Sequence, residues 1–188
     1  MNNEKKNPNN TARKVATLGM MVALAMILSY IESIIILPIG IPGIKVGLSN
    51  LLVVILLYTY GWREALLVNF TRILLSGLLF GTGMSLVFSL VGGCLSFLVM
   101  ALFYNRKLLT VTGISILGGV FHNTGQLIAA VFFFSVKAPF FYLPALILCG
   151  VLTGALNGIL ATAVLTQLEK FPTDLKRSAR MRTDSDNK

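Results

Sequence analysis

VTGISILGGVFHNTGQLIAAVFFFS, residues 111–135, is apolar almost throughout, yet its middle carries the chain's only histidine, His122, beside Asn123 and one helical turn before Gln126. An apolar run of this length matches the roughly 17–25 residues that a helix needs to cross a hydrocarbon core. Polar side chains halfway along such a helix are costly unless they face protein or water. The stretch therefore predicts both a membrane helix and a reason for its helix to have neighbours.

Composition extends that reading to the whole chain. Of 188 residues, 55% are hydrophobic and only 12% charged, against about a quarter charged in an ordinary soluble domain. The mean hydropathy is +0.81. Charge gathers in polar ends, Met1–Lys14 and Glu169–Lys188. This predicts one transmembrane domain over residues 15–168 with two cytoplasmic tails, the second basic and disordered.

Six apolar segments follow: Val15–Leu37, Pro42–Tyr60, Ala65–Phe80, Met84–Tyr104, Val111–Ser135 and Leu143–Leu168. The expected fold is an all-α integral membrane protein with six transmembrane helices. The third segment is the shortest and is bounded by Gly77, Gly81 and Gly83, so a tilted, broken or partly re-entrant segment is expected there. The first is too long for the apolar core of a signal peptide and is taken as a retained helix. None of the runs has the period-two alternation of a membrane barrel strand.

Lysine and arginine placement sets the orientation. With both termini cytoplasmic, the two tails and the turns at Arg63 and Arg106–Lys107 hold thirteen of the 16 basic residues, leaving Lys45 and Lys137 outside and Arg72 within the third segment. An odd number of crossings would mix the two sides. The net charge of +9 is thus expected to serve topology and anionic lipid contact, not nucleic-acid binding.

Small residues mark where helices approach. Gly150, Gly154 and Gly158 recur every four residues in GVLTGALNG, a flat stripe suited to helix packing where lipid supplies no hydrophobic drive between helices. Ala12, Ala16, Gly19 and Ala23 form a second row on the first segment. Cys94 and Cys149 lie within apolar segments, with no CxxC spacing, and are expected to be packing residues rather than a disulfide or metal site.

The polar residues at membrane depth are the candidate site. Asn69 precedes Arg72 by three residues and His122 precedes Gln126 by four, placing each pair on one helical face. Asn157 lies beside the glycine stripe, and LPIGIPGIKVGLSN, residues 37–50, offers Lys45 and Asn50 in a loop shaped by Pro38, Pro42 and three glycines. Two explanations fit. Either these side chains line a solute cavity, or they form a buried tie in which Glu32 pairs with Arg72. A cavity shared by Lys45, Arg72 and His122 would suit a polar or anionic solute. Residues for catalysis are not evident: there is no GxxxxGK[ST] phosphate loop, no HExxH and no GxSxG. All three aspartates, Asp174, Asp184 and Asp186, are in the C-terminal tail. No enzyme activity, metal or cofactor is expected.

PGIKVGLSN (42–50), FSLVGGCLS (88–96), FHNTGQL (121–127) and LPALILCGVLTGALNG (143–158) together resemble the Gx transporter family, whose members are often labelled heptaprenyl diphosphate synthase component I. The resemblance covers roughly residues 13–168. That family is in turn similar to the S components of energy-coupling factor transporters. The likeness implies an S-component-like bundle in a bacterial cell membrane that captures a micronutrient-like solute from outside. A transmembrane coupling protein and an ATPase pair would supply the energy, and the Ala12, Ala16, Gly19 and Ala23 row would dock the coupling protein. Accessory membrane subunit of polyprenyl diphosphate synthesis, or of a quinone or redox-linked complex, is the competing expectation.

Overall fold

The structure, a computed structural model, describes residues 8–34, 47–81, 83–106, 109–134 and 143–170. These residues form six α-helices and no strand: α1 (Pro8–Ile34), α2 (Leu48–Thr59), α3 (Trp62–Phe80), α4 (Gly83–Phe103), α5 (Val111–Phe134) and α6 (Leu143–Lys170). Helices satisfy every interior backbone group within the segment, which lipid demands. Proline opens α1 because its missing N–H lies among the four that a helix start leaves unbonded anyway. Glu64 sits in the first turn of α3, where a carboxylate complements the positive end of the helix.

Four helices are long and apolar enough to cross a membrane: α4, α5, α6 and Thr11–Ile34 of α1. The two others depart from the sequence expectation. Instead of a full crossing from Pro42, α2 has 12 residues beginning at Leu48, about 18 Å long at 1.5 Å per residue, well short of a hydrocarbon core of about 30 Å. Residues 42–46 lie outside the described part. α3 starts earlier than expected, at Trp62, and runs for 19 residues. Arg63, Glu64 and Arg72 dilute its apolar character. At the chain ends, helix extends into both polar flanks, back to Pro8 and on to Lys170.

The short helix is the hub. α2 touches all five others, which surround it in the order α1, α3, α4, α5, α6. Between α1 and α6 the ring is open, for these two make no contact among the described residues. Leu52–Leu57 of α2 are all buried, and Ala25, Ala65, Val68, Phe97, Met100, Ile114 and Ala161 close over them. The outside is just as apolar: Met20, Leu78 and Phe132 are 73, 72 and 77% exposed. Apolar inside and apolar outside is the pattern of a protein whose solvent is lipid.

Glycines bring the last three helices together. A Cβ on Gly154 would stand 2.7 Å from the Cα of Ile116, and one on Gly158 would stand 2.5 Å from the Cα of Thr112. Gly150 faces Gly119 in the same seam. α4 meets α5 the same way, since a Cβ on Gly125 would lie 2.8 Å from the Cα of Gly92. A salt bridge between Lys14 and Glu64 ties α1 to α3. Cys94 is exposed on the outer face and Cys149 half-buried.

Candidate functional site

Two polar clusters occupy the middle of the bundle. The first joins α1, α2 and α3 around Arg72, which is 6% exposed. Its Nη1 donates to Ser49 Oγ and stands 3.5 Å from Ser29 Oγ, while Nη2 donates to Asn69 Oδ1 at 2.7 Å. Ser49 in turn donates to Glu32 Oε2 at 3.3 Å. Glu32 Oε1 accepts the backbone N–H of Gly47, and Asn69 Nδ2 donates to the carbonyl of Gly93 at 3.4 Å. The buried guanidinium and carboxylate are therefore linked through one serine hydroxyl. Insertion of an arginine at this depth costs roughly 3 kcal/mol, and this cluster offsets that cost by supplying both countercharge and hydrogen bonds.

The second cluster lies between α2, α5 and α6. Asn157 Nδ2 donates to the carbonyl of Gly47 at 2.6 Å. Asn123 Nδ2 donates to the carbonyl of Leu146 at 2.9 Å, and Gln126 Nε2 faces His122 Nε2 at 3.0 Å across one turn of α5. Asn50, Ser115, His122, Asn123, Thr153 and Asn157 line a recess beside the Gly47 peptide, about 230 Å³ including its open mouth. Its closed interior has room for about one water molecule. Asn157 is 3% exposed, and its Oδ1 has no hydrogen-bond partner among the described residues.

Gly47 joins the two clusters. Its φ of 77° is left-handed, a conformation open to glycine at no steric cost. That geometry turns its N–H toward Glu32 of α1 and its C=O toward Asn157 of α6. α2 thus begins level with the middle of α6. One residue bridges the two helices, which otherwise do not meet among the described residues.

The structure distributes the eight candidate site residues. Asn50, His122, Asn123 and Asn157 come together at the recess. Gln126 lies behind it, on His122. Arg72 and Asn69 belong to the Glu32 cluster and do not line the recess. Glu32 and Ser49 claim the guanidinium first. Lys45, with most of the 37–50 loop, lies outside the described residues. Ser115 and Thr153, absent from the sequence-based set, are drawn in because they sit one side chain from the glycines that let α5 and α6 touch. A hydroxyl next to a glycine stripe was their only sequence signal. Of the small-residue rows, Gly150, Gly154 and Gly158 pack α6 on α5, whereas Ala12, Ala16, Gly19 and Ala23 are exposed on α1.

A bundle with a lipid-like exterior and hydrogen-bonding groups buried at mid-depth defines a multi-pass helical membrane protein. Residues 21–164 match the family model described as heptaprenyl diphosphate synthase component I, and the chain belongs to that family. No curated protein and no solved structure matched the chain.

Proposed function

We propose that this protein is the solute-capturing membrane subunit of a transporter, with the recess between α2, α5 and α6 as its binding site. The observation that carries the reading is Asn157: a buried amide lining the recess, with its nitrogen bonded to Gly47 and its oxygen without a partner among the described residues. A lone buried acceptor costs about 1–3 kcal/mol, a cost that a bound solute would remove. The chain crosses the bacterial cell membrane six times, with α2 as the described part of the second crossing. Lys14, Arg63, Arg106 and Lys170 then share the cytoplasmic end, and the start of α2 faces the outer half. Solute enters from outside.

Energy comes from partner subunits, a coupling protein with an ATPase pair. Ala12, Ala16, Gly19 and Ala23 are its docking row: they are exposed, and no atom lies within 4 Å of a Cβ built on Gly19. The family description supports a second reading, a non-catalytic accessory subunit that holds lipid-like substrate for a prenyl diphosphate synthase. Purification from native membranes separates the two. Co-elution of an ATPase pair, with a small molecule released on denaturation and lost in Asn157→Leu, supports capture. Co-elution of a soluble prenyltransferase, with no retained solute, supports the accessory role.

A further inference from the structure

The charge of the captured solute can be argued from what surrounds the recess. Building on the capture reading, we propose that the site takes an uncharged solute carrying N–H or O–H donors, of the amide or ureide kind, and discriminates against carboxylates and phosphates.

Three observations lead there. First, the cation nearest in depth is not available. Arg72, the one buried lysine or arginine among the described residues, is directed onto Ser49 and Asn69 and stays out of the recess lining. Second, the start of α2 borders the recess and would by itself attract an anion through its unbonded N–H groups and its helix dipole. Here a carboxylate already occupies that end, because Glu32 accepts the N–H of Gly47. That N–H is therefore not free to bind an arriving anion. Third, the Asn157 atom left without a partner among the described residues is an acceptor. Donation of Nδ2 to Gly47 at 2.6 Å fixes which way the Asn157 amide faces, so the atom left without a partner among the described residues is its oxygen. A carbonyl oxygen pairs with a donor and repels a carboxylate or phosphate oxygen.

The remaining lining is consistent with this polarity. Thr153 spends its hydroxyl proton on the carbonyl of Cys149 at 2.9 Å, leaving its oxygen as a further acceptor. Asn123 likewise gives an Nδ2 hydrogen to the carbonyl of Leu146, and its own carbonyl oxygen is a further acceptor. Asn157, Thr153 and Asn123 thus each offer an oxygen acceptor, and the complementary ligand supplies protons to them. Discrimination built on a buried hydrogen-bonding group is steep, since the wrong ligand leaves that group unpaired.

The test uses the full-length protein in lipid nanodiscs and matched probes that differ in charge: nicotinamide against nicotinate, benzamide against benzoate, and inorganic pyrophosphate. Binding is read by saturation-transfer NMR, and metabolites retained through purification are identified by mass spectrometry. Amides binding roughly tenfold tighter than their acids, with loss in Asn157→Leu or in the milder Thr153→Val, support the proposal, as does a neutral retained metabolite. Acids or pyrophosphate binding better than amides, still dependent on Asn157, or an anionic retained metabolite, overturn the ligand class and leave capture standing. Amide binding unchanged in both variants also overturns it. No Asn157-dependent probe and no retained metabolite at all would overturn capture as well.

Discussion

Gly47 and Asn157, 110 positions apart in sequence, are joined by a 2.6 Å hydrogen bond from the asparagine amide to the glycine carbonyl. The same glycine gives its N–H to Glu32. The start of α2 is therefore held from both sides of the open ring, by α1 and by α6, and the recess exists because α2 begins at that depth.

Replacing Gly47 should disturb both clusters together. Its φ of 77° costs about 1–2 kcal/mol for a residue with a Cβ, asparagine being the mildest choice. Gly47→Ala is expected to lower the thermal midpoint in detergent and to weaken solute retention, with Gly47→Asn intermediate. Equal, wild-type retention in both variants would show that the recess does not depend on this turn.

Glu32 and Arg72 should prove interdependent. Glu32→Ala leaves a buried guanidinium without countercharge, a loss of about 3–5 kcal/mol by analogy with broken buried ion pairs. The double variant Glu32→Leu with Arg72→Met should recover much of that stability, because it removes both charges. A double-mutant cycle on unfolding in mixed micelles measures the coupling; additive losses would mean that the Ser49-mediated link contributes nothing.

The two glycine rows should behave oppositely. Gly154→Val drives a side chain into the α5 backbone, where a Cβ would already stand 2.7 Å from Ser115 O, and is expected to abolish monodisperse protein. Gly19→Val meets nothing within 4 Å and should change stability by no more than about 0.5 kcal/mol. Pull-down of membrane partners by Gly19→Val then reports on docking alone, and partner recovery equal to wild type would remove α1's exposed row from the interface.

Orientation is open to a labelling experiment. In a variant with Cys94 and Cys149 replaced by serine, a single cysteine at Arg106 should react with a membrane-impermeant maleimide only in inverted vesicles. Labelling in intact cells would reverse the topology.

Solvent class was the most legible property in the sequence. Val111–Ser135 announces a membrane helix because hydropathy and length belong to a segment alone, and α4, α5 and α6 match their expected limits to within about two residues. Glycine spacing is equally local, and the stripe at 150–158 was visible before its partner helix was known. Arg72 shows where such reading stops. Within α3 it has Asn69 one turn away, but whether it faces a cavity or an acidic partner depends on which residues of α1 and α2 arrive at the same depth.

The sequence by itself determined that this is a helical membrane chain with basic ends and polar groups at mid-depth, since each of those features is carried by a contiguous stretch. Only the tertiary structure decided that α2 is short and central, that Ser49 and Asn69 hold Arg72 outside the recess lining, and that the Asn157 oxygen has no partner among the described residues. Those outcomes are set by competition among hydrogen-bonding groups from different helices. Such a competition is resolved by depth and packing, neither of which is written in any one segment.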